Sequence, residues 1–125
     1  MSTLRSVAVL TGSSALFLLV GIVVASAHAQ LVRAEPAAGG NIGKAPSEVT
    51  LHFSERLEGA LSSVVVRDAA GKQVDKGNGA VDKKDRRVIR VSLPDLEPGV
   101  YEVEWRAVSA DTHRVTGDFT FKVGE

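Results

Sequence analysis

Over much of the chain beyond residue 48, apolar and polar positions alternate one for one. In "VTLHF", Val49, Leu51 and Phe53 alternate with Thr50 and His52. In "GVYEVEWRA", Tyr101, Val103, Trp105 and Ala107 alternate with Glu102, Glu104 and Arg106. "DFTFKV" repeats the pattern with Phe119, Phe121 and Val123. Successive side chains of a strand point to opposite faces, so each segment is predicted to be a strand with one buried and one wet side. "SSVVVRD" and "RVIRVSL" add two β-branched runs of strand length. The stretches between them, "PAAGGN", "GKAP", "DAAGK", "KGNG" and "PDLEPG", carry turn chemistry. No segment past residue 27 sustains a helical period with a cap, so helices should be few and short.

About seven short strands without a repeat or a linker predict one all-β domain. The expected fold is a single antiparallel Greek-key β-sandwich, of the kind found in immunoglobulin-like and cupredoxin-like β-barrel proteins. The chain has no cysteine, so the core must hold the domain together without disulfides.

The amino-terminal end follows a different pattern. Arg5 precedes an apolar run, "ALFLLVGIVVA", and small residues close it. These are the three parts of a secretory signal peptide. The uninterrupted run is shorter than the roughly 18 residues expected of a membrane span. Counting the more polar "VAVLTGSS" lengthens it, and an uncleaved anchor is then the other reading. On the first reading, residues 1–27 are a cleaved leader and residues 28–125 form the domain. "ASAHAQL" contains two overlapping small-x-small signals: a cut after Ala27 leaves His28 as the first residue, and a cut after Ala29 discards it. Without Arg5, 14 basic residues of the original 15 face 15 acidic ones, a balance that does not point to nucleic acid. The one dense charge run, "DKKDRR" at 82–87, has mixed signs and reads as a solvated turn.

The candidate chemistry rests on three histidines: His28, His52 and His113. Asp111 and His113 are two apart, so an extended chain puts both side chains on one side at a sandwich end. A terminal His28 would add an α-amine and a ring nitrogen that can close a chelate on one ion. Three nitrogens and a carboxylate oxygen favour Cu(II), which also leads the common divalent ions in affinity. The only methionine is Met1, so the processed chain lacks the sulfur ligands that Cu(I) selects. Each residue also has a plainer reading. Asp111 could cap a turn, His28 could leave with the leader, and Glu55 could be a surface acid. His52 lies on a polar strand face and reads as a surface histidine, and Trp105 as a core residue.

Taken together, the segments "HAQLVRAEPAAGG", "VTLHFSE" and "PGVYEVEWRAVSADTHRVTGDFTFKV" resemble the periplasmic copper-resistance CopC family. The resemblance implies a mature chain beginning at His28. It also implies one Cu(II) held by His28 through amine and imidazole, with Asp111 and His113. Glu55 matches an acid close to the copper, and Trp105 a tryptophan near the metal-bearing end. Where some family members carry a methionine-rich loop for Cu(I), "VVVRDAAGKQVDKG" has no methionine. The implied role is non-enzymatic: capture, buffering and delivery of copper in the periplasm, by a monomer or weak dimer. The implied receiver is a CopD-like inner-membrane transporter. Two other classes stay open on the residues alone. One is an N-terminal-histidine copper monooxygenase acting on polysaccharide, and the other is a metal-free immunoglobulin-like interaction module.

Overall fold

The computed structural model describes residues 28–124. The leader assigned to residues 1–27 lies outside them. Eight strands follow in order: β1 (Leu31–Glu35), β2 (Asn41–Ile42), β3 (Glu48–Phe53), β4 (Ser63–Arg67), β5 (Ala80–Val81), β6 (Val88–Ser92), β7 (Gly99–Val108) and β8 (Arg114–Val123). No helix occurs among the described residues, and none there is long and apolar enough to cross a membrane.

The strands form two four-stranded sheets, ordered β1-β3-β6-β5 and β2-β8-β7-β4. The expected sandwich is present, with two additions. β2 and β5 are only two residues long, too short for any hydrophobic period to announce them. β2 also runs parallel to β8, whereas the other pairs within the sheets are antiparallel.

The inward positions are those the alternation predicts. Val49, Leu51 and Phe53 of β3 meet Val103 and Ala107 of β7 and Phe121 of β8 in one buried cluster. Burying each large side chain contributes about 1.5–3 kcal/mol, and these contacts take the place of disulfides. Tyr101 stacks on Phe121, and its hydroxyl donates to the Glu97 carbonyl at 2.6 Å. This tyrosine corner fastens the crossing from one sheet to the other. Burial raises the Tyr101 phenol above its usual range, with Glu97 and Asp68 adding to the effect. On the outer face of the first sheet, Thr50 is buried beneath Arg90, whose guanidinium bonds Thr50, Glu48 and Asp82.

Trp105 is half-buried on the inward face, between Phe53 (centroids 6.3 Å apart) and Phe119 (6.0 Å). It pairs across the ladder with Gly117. The indole lies so closely over that glycine that an added Cβ would sit 2.1 Å from a ring carbon. Gly117→Ala should therefore displace the indole, lower stability by about 1–3 kcal/mol, and shift the tryptophan emission. Urea unfolding followed by fluorescence checks both effects, and an unchanged midpoint would contradict this account of the glycine.

Candidate metal centre

One end of the sandwich gathers four segments: residues 28–30, the start of the loop after β3, the turn between β5 and β6, and the hairpin joining β7 to β8. Backbone hydrogen bonds stitch them together. Ser54 donates to the Gln30 carbonyl, Phe53 to Arg87, Leu57 to Arg86, Glu58 to Val108 and Ala110 to Arg56. The tip is therefore a built surface with a fixed arrangement.

In the hairpin, Arg114 and Val108 form the last ladder pair. Beyond it Ser109 N–H donates to the His113 carbonyl at 3.0 Å, and Thr112 N–H donates to the Ser109 carbonyl at 2.8 Å. The loop is a β-turn closed by Thr112 in the left-handed region, with φ 72°. A β-branched residue is rare there, and the turn's own bonds hold it. The chain thus does not stay extended between Asp111 and His113, as the sequence reading assumed. The two side chains still meet, because the reversal at Thr112 brings them round to each other: Asp111 Oδ2 lies 2.9 Å from His113 Nδ1.

Asp111 is held at its other oxygen by the buried Ser109 hydroxyl. The His113 N–H also approaches that oxygen, at 3.4 Å. These donors pull its pKa down to about 2, the Ser109 hydroxyl contributing most and the His113 side chain next. A depressed carboxyl stabilises the fold above its ordinary pKa of about 3.9 and loses that contribution as pH falls toward 2. Because Nδ1 of His113 faces the carboxylate, Nε2 is the ring nitrogen left open, an arrangement that fixes the tautomer and strengthens the ring as a ligand.

His28 reaches this hairpin because the next two residues are anchored. Ala29 is fully buried in the core cluster. Gln30 is clamped to Ser54 twice, its N–H donating to Ser54 Oγ at 2.9 Å and its carbonyl accepting from Ser54 N–H at 2.8 Å. The His28 ring then meets the His113 ring edge to face, centroids 4.8 Å apart.

The remaining candidates fall in different places. Glu55 is exposed and lines a depression with Arg56, Arg87, Ser109, Ala110 and Asp111. Trp105 sits inside the sandwich against Phe53, the residue paired with Leu31, so it underlies the same half of the domain without reaching the histidines. His52 lies on the outer face of the first sheet beside Arg33 (3.0 Å) and Glu35 (3.6 Å), and is the surface histidine expected of it. Among the described residues no three histidine, cysteine, aspartate or glutamate side chains form a ready cluster for an ion. The structure brings His28 to His113, and His113 to Asp111. The sequence reading assigned no role to Ser109, Thr112 or the Gln30–Ser54 clamp. Ser109, two residues before the aspartate, was visible within "SADTH", but its burial was not.

The family model for the CopC domain matches residues 31–124. Copper resistance protein C of Pseudomonas syringae pv. tomato is 40% identical over 108 residues, covering 80% of this chain and 83% of its own. Copper transport protein CutJ of Bacillus subtilis is 33% identical over 100 residues, which span 79% of this chain but 18% of CutJ. Among solved structures, CopC from Methylosinus trichosporium OB3b superposes with a TM-score of 0.68 at 34% identity, covering 77% of this chain and 93% of that one. PcoC from Escherichia coli, a methionine-rich copper resistance protein, gives 0.67 at 32% identity, covering 77% and 98%. This β-sandwich belongs to the CopC domain family.

The Ser109 hydroxyl is the largest influence on the Asp111 carboxyl, so Ser109→Ala should raise it from about 2 toward the ordinary value of about 3.9. A carboxyl-carbon NMR titration of the metal-free protein checks the shift, and an unmoved titration would remove Ser109 from the account.

Proposed function

We propose that this chain is an exported, periplasmic copper(II)-binding protein that captures, buffers and hands on the ion, without catalysing a reaction on it. The observation that carries this reading is the contact of His28 with His113 at one tip, with Asp111 against the same His113. One Cu(II) per chain would be held by the amine and ring of His28, the ring of His113 and the carboxylate of Asp111. A nitrogen and oxygen set suits the cupric ion. PcoC is described as methionine-rich, whereas here the only methionine is Met1, which argues against a thioether Cu(I) site. Four strong donors would fill the square around copper and leave no open position for oxygen, which favours carriage over oxidation.

The amine exists only if the leader is cut after Ala27. Two features support that cut over the one after Ala29. The later cut would remove Ala29, a fully buried core residue. It would also place a charged terminus at Gln30, whose N–H is committed to Ser54. Glu55, at the edge of the Asp111 depression, is positioned to tune the site, and Trp105 to support it from beneath. The receiver would be a CopD-like inner-membrane copper transporter. That a related domain occupies 18% of a protein named for copper transport supports such a partnership.

The test uses protein that begins at His28. At free Cu(II) about a hundred times Kd, binding to the native state adds about 2.7 kcal/mol, which for a domain this size raises Tm by about 13 °C. A single glycine placed before His28, or His113→Ala, should abolish most of that shift. Equal shifts in all three proteins would overturn the ligand set. Affinity should also fall as pH drops through the range of an α-amine, ordinarily about 7.7–8.0, because copper competes with protons for the nitrogen donors. Asp111, ionised down to about 2, adds nothing to that slope, so titrations at pH 8, 7 and 6 should report the nitrogens alone.

A further inference from the structure

The turn "DKKDRR" reads as mixed charge in the sequence, and the surface of the folded turn is basic on balance. Both of its acids accept hydrogen bonds from the turn itself, and Asp82 is half-buried while Asp85 stays exposed. Asp82 accepts from the backbone N–H groups of Lys84 (2.7 Å) and Asp85 (3.2 Å), and from the Arg90 side chain (3.1 Å). Asp85 accepts from the Arg87 N–H at 3.1 Å. Lys83, Lys84, Arg86 and Arg87 are exposed, and Arg56 joins them across a depression whose lining holds these five cations against a single anion, Asp85. None of these five side chains makes an ion pair among the described residues. Arg56 and Arg87 also line the depression that contains Glu55 and Asp111, so the basic face runs directly up to the candidate metal centre.

Five unpaired cations beside the site of a divalent cation do not help to attract the free ion. They suit a negatively charged body that comes to the tip to exchange it. On the carrier reading, which this inference rests on, the receiving or supplying molecule must approach this end. We infer that the face formed by Arg56, Lys83, Lys84, Arg86 and Arg87 docks an acidic protein surface belonging to the partner that exchanges copper with the tip. A layer of anionic lipid headgroups would match the charge but would bring no receiving ligand to the ion. An acidic protein surface brings both. Complementary charge of this kind sets encounter rate and register more than final affinity.

The experiment mixes copper-loaded protein, beginning at His28, with two synthetic acceptor peptides. Both carry a Gly-Gly-His chelating head; one has a glutamate tail and the other a glutamine tail. Stopped-flow spectroscopy follows the transfer. The glutamate-tailed acceptor should receive copper about tenfold faster at low salt, with the advantage fading by about 0.3 M, where the screening length approaches a few ångströms. A variant with Lys83, Lys84, Arg86 and Arg87 all changed to Gln should lose the preference while keeping its copper-induced Tm shift. Equal rates to both peptides in the unaltered protein, or a preference that survives in the variant, would overturn the inference. If the protein takes up no copper, the carrier reading fails separately, and the face is then read on metal-free protein with a fluorescent glutamate peptide. Salt-sensitive anisotropy that disappears in the variant supports the face, and no binding overturns it. Co-sedimentation with phosphatidylglycerol vesicles, with no discrimination between the peptides, would overturn it in favour of a lipid surface.

Discussion

The tip of this sandwich depends on a clamp between two short segments. Gln30 and Ser54 exchange a backbone bond and a side-chain bond, and Ala29 fills a fully enclosed position in the core beside them. Fixing a residue costs about 1–2 kcal/mol of backbone entropy, and a free chain end ordinarily frays for that reason. Here the two residues after His28 are secured by the interior of the domain, so His28 arrives at the hairpin already oriented. On the proposed ligand set, that anchoring would spare the ion the cost of collecting His28 from a mobile end.

The hairpin opposite works by another means. Thr112 occupies a backbone conformation that a β-branched side chain disfavours, and Ser109 is nearly fully buried between the Asp111 carboxylate and the His113 backbone. The turn holds the Asp111 carboxyl below its ordinary range and fixes the orientation of the His113 ring. The copper site proposed here therefore draws two nitrogens from one segment and a nitrogen–carboxylate pair from another. The sandwich keeps the two segments in register at this end.

Much of this was legible in the residues, and for a clear reason. Alternation along Val49–Phe53, Tyr101–Ala107 and Phe119–Val123 requires half-buried strands whatever the neighbours do, so the two-sheet fold and most of its core could be read directly. Asn41–Ile42 could not be, because two residues carry no period and their partner lies about eighty positions away. The proximity of Asp111 and His113 was anticipated on an extended chain and is produced by a turn, since nothing in "DTH" announces a left-handed threonine. That His28 would lie against His113 rested on family resemblance, because no local pattern links positions so far apart. The charge run at 82–87 is the solvated mixed-sign turn its residues suggest, but nothing local shows that Asp82 pairs with Arg90 or that Arg56 joins the exposed cations around Asp85.

The pairing of Asn41–Ile42 with Lys122–Val123 bears on how the chain must fold. The two-residue strand cannot take its place until residues 122–123, at the far end of the domain, are available to pair. Contacts between segments so distant form late and slowly. Closing that edge of the second sheet therefore waits on the last strand of the domain, whatever the earlier strands have already done.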